Sequence, residues 1–279
     1  MIRPTLNCPC ERRFDEPAFK YDAPPAGETR FDLGGQTYCR AYSCCRLCGH
    51  WYSDHKMDLT SLYSGAYVES TYGDRMRQTF DRILALPSEQ SDNAGRVARV
   101  LGFAAHFFPS GRMPTLLDVG SGLGVFPYRM KEAGWSCTAL DPDPRAAVHA
   151  REVVGVLAVI GDFMSIGSNQ LGKFDVVTFN KVLEHVEDPV AMLSKASRHL
   201  NPGGFVYVEV PDGEAAAVEG PEREEFFIEH HHVFSMASLA MLASRAGYLA
   251  VEIERLREPS MKFTLRGFLA LSRHRQVVP

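Results

Sequence analysis

Three glycines at alternate positions, Gly120, Gly122 and Gly124, follow the run Leu116-Leu117-Asp118-Val119 and mark the first place where this chain could do chemistry. Glycines so spaced strip side chains from a turn and let backbone amides approach a ligand closely. A dinucleotide fingerprint would set its third glycine one place later, at Val125, so the spacing argues against an NAD site of the usual kind. About 20 residues past the turn stands Asp141, where a carboxylate suits the paired hydroxyls of a ribose. Thiols form a second concentration: Cys8, Cys10, Cys39, Cys44, Cys45 and Cys48 leave only Cys137 for the rest of the chain. In a reducing compartment such clustering favours a metal over disulfides. Imidazoles form a third, with His185 in Val-Leu-Glu-His-Val and His230, His231 and His232 in a row. Three consecutive histidines cannot all face one ion on a regular element.

These groups need elements to hold them. Leu116, Leu117 and Val119 read as a buried strand, and the helix after the glycine turn is expected to start near Pro127, a favoured first-turn residue. From Thr115 onward strands alternate with helices, the pattern of an α/β doubly wound parallel sheet. The expected strands are Thr115 to Val119, Cys137 to Leu140, Leu157 to Ile160, Phe174 to Phe179 and Phe205 to Val210. Ligands bind at the carboxyl ends of such strands, here Asp141-Pro142, Asp162-Phe163 and Asn180. A helix from Pro189 stops at Asn201-Pro202-Gly203-Gly204, and another runs from Ser235 to Ala246. Two last strands, Tyr248 to Glu254 and Phe263 to Leu271, flank a turn near Pro259.

Before the sheet, Met76, Phe80, Ile83 and Leu84, then Val97, Val100, Leu101, Ala104 and Phe108, recur at helical spacing. Two amphipathic helices follow, and their arginines, Arg75, Arg77, Arg82, Arg96 and Arg99, are expected to form a solvated face. The aromatic segment 62–72, with Tyr63, Tyr67 and Tyr72, is expected to cross between modules. Ahead of it, Cys8-Pro9-Cys10 and Cys45-Arg46-Leu47-Cys48-Gly49 outline the two knuckles of a zinc ribbon, with Cys8, Cys10, Cys45 and Cys48 as ligands of a structural zinc. The first knuckle is one residue tighter than usual, which leaves Cys39, Cys44, His50 and His55 as substitutes. The expected division is a zinc-ribbon-like module over 1–58, a helical linker or lid over 59–110 and a cofactor-binding domain over 111–279.

An acidic residue followed by Gly-x-Gly-x-Gly, here Asp118, Gly120, Gly122 and Gly124, resembles the first motif of class I methyltransferases. The resemblance implies a Rossmann-like, seven-stranded, mostly parallel sheet with the seventh strand antiparallel, and S-adenosylmethionine as cofactor. It implies cofactor contacts at Asp118, Gly120, Gly122, Gly124, Asp141, Pro142, Asp162, Phe163 and Asn180, with Asp162 on the adenine amino group and Phe163 packed on the ring. The segment Val182-Leu183-Glu184-His185-Val186 resembles a signature shared by O-methyltransferases of quinone biosynthesis and many sugar-modifying methyltransferases, and implies that His185 faces the transferred methyl. Glu229-His230-His231-His232-Val233-Phe234-Ser235 resembles the Glu-His-x-x-x-Phe-Ser segment of deoxysugar C-methyltransferases, which also carry an N-terminal zinc ribbon. Carried over, His230 is the base and Glu229 its neighbour in proton removal. The chain departs from that group in lacking its long extra C-terminal domain.

With 279 residues and 45% hydrophobic composition, the chain can bury one substantial core and a small module. A net charge of -4 and pI of 6.2 give no general attraction for nucleic acid, and no apolar stretch suits a membrane span or signal. A cytoplasmic enzyme acting on a small molecule is expected, with a sugar, nucleotide-linked or a polysaccharide or natural-product precursor, as acceptor. The alternatives are an O-methyltransferase of a phenolic or other small metabolite, and a zinc-ribbon binding protein whose cofactor fold is catalytically silent.

Overall fold

In the computed structural model, which describes residues 8–12, 14–57, 59, 75–109 and 111–272, two sheets organise the chain. The tyrosine-bearing segment 62–72 lies outside the described residues. Near the N-terminus, β1 (Asp15–Tyr21), β2 (Arg40–Cys45) and β3 (Trp51–His55) pair antiparallel. Residues two apart on a strand share a face. Tyr21, Tyr42 and Trp51 are thereby gathered over a small aromatic core with Phe226 and Val233.

Next come helices α1 (Met76–Leu84) and α2 (Asp92–Phe107), the second opened by Ser91, whose hydroxyl accepts from the Ala94 amide at 3.2 Å. Phe103 of α2 stacks on Phe268 with ring centroids 4.1 Å apart, fixing the helix across one face of the larger sheet. The face of these helices is not wholly solvated, contrary to expectation. Arg96 makes a two-pronged contact with the fully buried Glu209, its Nε 2.8 Å from Oε2, and Arg99 Nε reaches Glu254 at 2.9 Å. A guanidinium can span from helix to sheet because its long apolar stem packs on the way.

The larger sheet begins with β4 (Thr115–Val119), then α3 (Val125–Glu132), β5 (Ser136–Asp141), α4 (Pro144–His149), β6 (Leu157–Ile160), β7 (Phe174–Asn180), α5 (Pro189–Ala196) and β8 (Leu200–Pro211). After α6 (Gly213–Glu219), β9 (His232–Val233) and α7 (Met236–Arg245), the chain closes with β10 (Tyr248–Arg257) and β11 (Phe263–Leu271). Its seven strands lie in the order β10-β11-β8-β7-β4-β5-β6, with β11 antiparallel to both neighbours. This is the expected class I methyltransferase, Rossmann-like architecture. Central β4 and β7 are buried on both faces because helices cover both sides, which is why their apolar residues read as runs rather than alternations, with Asp118 and Thr178 bonded to each other between them. The topological reversal between β4 and β7 opens a crevice at the carboxyl ends of the strands.

Details differ from the sequence reading. Helix α3 starts at Val125, two residues before Pro127, because Gly124 in the left-handed region already turns the chain. The break Asn201 to Gly204 is accommodated as a bulge inside β8: the register jumps from Phe174 opposite Leu200 to Val176 opposite Phe205. The four-stranded sheet, ordered β1-β2-β3-β9, takes its last strand from the far side of the boundary placed at residue 58.

Candidate active site

The glycine turn is shaped as much by protein as by ligand. Gly120, Gly122 and Gly124 have φ of +68°, +50° and +68°, where side chains other than glycine are strained. A Cβ on Gly120 would meet Val182 Cγ2 at 2.7 Å, and one on Gly124 would meet Val154 Cγ2 at 2.7 Å. Buried Asp141 ties the turn down from the next strand, accepting the Gly122 amide at 2.8 Å and the Asp143 amide at 2.9 Å. Burial pushes the Asp141 carboxyl up, while the two amides oppose the shift. Pro142 is exposed at the bend that follows.

Asp118 lies beneath the turn, 2% exposed, and its Oδ1 accepts from Thr178 Oγ1 at 2.6 Å and from Asn180 Nδ2 at 2.8 Å. Burial raises it to about 6 against those two bonds. Its carboxylate thus braces β4 against β7. Ser121 Oγ and Asn180 Oδ1 are buried with no hydrogen-bond partner among the described residues. Two orphaned acceptors beside a glycine turn fit the ammonium of a bound amino-acid moiety, so the residues present suit S-adenosylmethionine.

After β6, exposed Asp162 caps its own turn, accepting from the Met164 amide at 3.0 Å and Ser165 Oγ at 2.7 Å. Phe163 departs from the expectation of packing on adenine. It is 3% exposed and meets Phe179 edge-on at 5.6 Å, because the turn that Asp162 caps folds its ring into the core. The neighbouring Met164 is the exposed apolar residue of this turn.

His185 and His230 come together. Their rings are 4.9 Å apart at 63°, one presented by the turn Leu183–His185 after β7, the other by the loop before β9. His185 Nδ1 lies 2.9 Å from the Glu229 carbonyl, and His230 Nδ1 lies 2.8 Å from the Glu225 carbonyl. A carbonyl only accepts, so each Nδ1 carries the proton and each Nε2 is the basic nitrogen. Burial pushes His185 down to about 4 and His230 well below the ordinary histidine value, which keeps both imidazoles neutral. It is the backbone carbonyl of Glu229 that receives the His185 proton; burial raises the Glu229 carboxyl to about 7.

Two residues at this end were not singled out from the sequence. Glu184, 1% exposed, is raised to about 7 by burial and offers a carboxylate oxygen within 4.8 Å of a ring nitrogen of each histidine, a donor set of the kind divalent cations accept. Lys181 holds φ at +58° and donates from Nζ to Thr264 Oγ1 at 2.7 Å. Glu184 stood in view inside the motif that carries His185, whereas no pattern announces a left-handed lysine.

The four expected zinc ligands also converge. Sγ of Cys8 lies 3.1 Å from Cys10 and 3.4 Å from Cys48, and Cys10 lies 3.7 Å from Cys45. All four sulfurs fall within 4.8 Å of one another, and a tetrahedral zinc with bonds of about 2.3 Å requires separations of about 3.8 Å. Of the substitutes, Cys39 is exposed, and fully buried His50 bonds to His232 at 2.9 Å and lies 3.2 Å from Ser238 Oγ.

A glycine turn at the switch point of such a sheet, tied down by a buried carboxylate on the next strand, defines the chain as a class I methyltransferase by fold. Residues 73–253 match the methyltransferase domain family, and the chain belongs to it. Among curated proteins, it is 36% identical over 101 residues to a ubiquinone biosynthesis O-methyltransferase of Pseudomonas paraeruginosa, covering 34% of this chain and 43% of that one. To the Xanthomonas oryzae protein of the same name it is 35% identical over 116 residues, 38% of this chain and 48% of that one. The chain therefore spans just under half the length of these relatives. Among solved structures, the Burkholderia thailandensis 1,6-didemethyltoxoflavin-N1-methyltransferase, bound to its substrate and S-adenosylhomocysteine, superposes with a TM-score of 0.58 at 19% identity, covering 84% of this chain and 96% of that one. An O-methyltransferase from neocarzinostatin biosynthesis gives 0.51 at 19% identity over 76% of this chain and 63% of that one. These structural likenesses establish the fold. No helix among the described residues is long and apolar enough to cross a membrane.

Proposed function

We propose that this protein transfers a methyl group from S-adenosylmethionine to a hydroxyl oxygen of a small acceptor, with His230 as general base and His185 beside it. The observation that carries the reading is the neutral imidazole pair, 4.9 Å apart, at the strand ends that also carry the glycine turn. Val182, three residues before His185, packs on Gly120, so the two features share one crevice. S-adenosylmethionine supplies a methyl already activated on a sulfonium, so the chain has little covalent work to do. The backbone of Gly120 to Gly124 with Asp141 and Asp162 would hold it, Asn180 and Ser121 would meet its polar end, and Asp118 keeps Asn180 in place. Nε2 of His230 takes the acceptor's proton, and the Glu184 carboxyl, within 4.8 Å of a ring nitrogen of both histidines, holds the resulting positive charge.

The sugar expected from the sequence finds no support among the relatives. The curated ones bear the name of an O-methyltransferase of ubiquinone biosynthesis, which favours a hydroxylated ring as acceptor. Cys8, Cys10, Cys45 and Cys48 hold one structural zinc, since four thiolates leave no open position for substrate. The test is mass spectrometry of products after incubation with S-adenosylmethionine and two acceptor sets, hydroxylated benzoates and nucleotide sugars. A 14 Da gain in the first set alone is expected on one-methyl transfer, roughly 100- to 10,000-fold slower in His230→Asn. Methylation of nucleotide sugars alone would overturn the acceptor reading, and full turnover by His230→Asn would remove the base.

A further inference from the structure

The turn Phe226–His230 presents Glu229 and His230 to the crevice, yet its backbone is held by the N-terminal sheet. The Tyr42 hydroxyl donates to the His230 carbonyl at 2.6 Å and lies 3.2 Å from that of Phe227. Arg40 Nη1 donates to the Phe226 carbonyl at 2.7 Å, and Glu28 Oε2 accepts the Ile228 amide at 2.7 Å. Arg40 and Glu28 themselves pair at 2.6 Å with both side chains fully buried. Just beyond, the Ser53 amide donates to the His231 carbonyl at 3.0 Å, and β9 pairs with β3.

A buried ion pair is a weak device for stability, because removing two charges from water cancels most of their attraction. Its stronger use is to specify one geometry: here each partner bonds also to the Tyr38 hydroxyl, and each sends one further bond to the backbone of the turn. The ring of His230 is already fixed in tautomer by Glu225, so what remains to be set is where the residue's backbone sits. Tyr42, fully buried on β2, holds that position through the carbonyl of His230 itself. Misplacing a reacting group by about 1 Å can cost on the order of 100-fold in rate.

We infer that the N-terminal module is a positioning element for the catalytic turn, and that Tyr42 is the positioning residue through which it sets His230. The inference rests on the reading of His230 as base. It gives the module a task besides holding a metal: the fold's own sheet supplies the cofactor crevice and His185, while the module supplies the placement of the second imidazole.

The test uses the full chain loaded with S-adenosylhomocysteine, comparing wild type with Tyr42→Phe. Phenylalanine keeps the ring contact with Phe226, 5.3 Å between centroids at 68°, and removes only the hydroxyl. The first readout is the NMR chemical shift of the histidine ring signals at one fixed pH. His230 packs on His185 with ring centroids 4.9 Å apart, so a displaced backbone moves its ring signals. In Tyr42→Phe the His230 and His185 ring signals are expected to shift, while those of buried His199, bonded to the Gly172 carbonyl, are unmoved. The second readout is amide exchange over residues 228–233, expected to quicken at least about tenfold in the variant. In the wild type under mild urea, these same amides should lose protection together with those of β2 and β3. Unchanged His230 ring signals in a folded Tyr42→Phe, or wild-type protection that tracks β7 instead, overturns the inference. His230→Asn turnover decides the base reading separately, since neither readout here depends on catalysis.

Discussion

Replacing Asp141 by Ala removes one buried carboxylate that accepts two backbone amides, Gly122 at 2.8 Å and Asp143 at 2.9 Å. Both bonds are charge-assisted, and a hydrogen bond to a charged group contributes about 1.5 to 3 kcal/mol. In the free protein the two amides can recover water as the turn loosens, so the loss of stability should be modest, on the order of a few degrees in Tm. In the complex the same carboxylate would also meet the ribose hydroxyls, and that contribution has no replacement. Affinity for S-adenosylhomocysteine should therefore fall by about 1.5 to 3 kcal/mol, roughly 10- to 150-fold in Kd. Titration calorimetry at pH 8 measures it, with circular dichroism confirming that the variant is folded. Asp162→Ala is the internal comparison: that carboxylate is exposed and already committed to its own turn, so its loss should cost no more than about 1 kcal/mol. A folded Asp141→Ala that binds within twofold of wild type would refute both the ribose assignment and the claim that Asp141 fixes the glycine turn.

Gly120→Ala places a Cβ 2.7 Å from Val182 Cγ2 at a φ of +68°, and should cost about 2 kcal/mol or more in urea unfolding; Val182→Ala in the same chain should restore only the part due to the clash. Cys45→Ser should lower metal content from one zinc per chain to none, measured on protein purified without added zinc, and a full complement of zinc in that variant would dismiss the four-thiolate site. Glu184 is raised from 4.5 to about 7 by burial, so the folded state disfavours its ionised form by up to about 3 kcal/mol. A raised carboxyl contributes its stability below the unfolded value and loses it as pH climbs through the folded one; Glu184→Gln should therefore flatten the decline in Tm between about pH 5 and pH 8. An equally steep decline in that variant would place the titrating group elsewhere.

The methyltransferase sheet was legible because its signals are local. Short, mostly apolar runs such as Leu116 to Val119 and Phe174 to Phe179, bounded by turn residues, read as buried strands, and alternate glycines advertise a turn whatever surrounds them. The convergence of the four cysteines followed from their clustering. What stayed hidden depends on residues far apart in sequence. Strand β9 is two residues long, too short to show a period, and its partner lies in β3. The pairing of Arg40 with Glu28, and of Arg96 with Glu209, is set by tertiary packing, so those arginines read locally as ordinary polar residues. The inward ring of Phe163 depends on the turn that Asp162 caps after β6, a conformation that the short run Asp162-Phe163-Met164-Ser165 does not declare.

The two-residue strand β9 also has a consequence in time. The bond between His50 and His232 spans 182 residues, and the edge of β3 that β9 covers stays open until the later one emerges from the ribosome. At synthesis rates of about 5 to 20 residues per second, that interval is about 10 to 35 s, during which β3 presents unpaired amides and carbonyls to whatever strand is near. A nascent chain stalled before residue 232 would thus leave that edge of β3 without the strand that pairs with it in the finished fold.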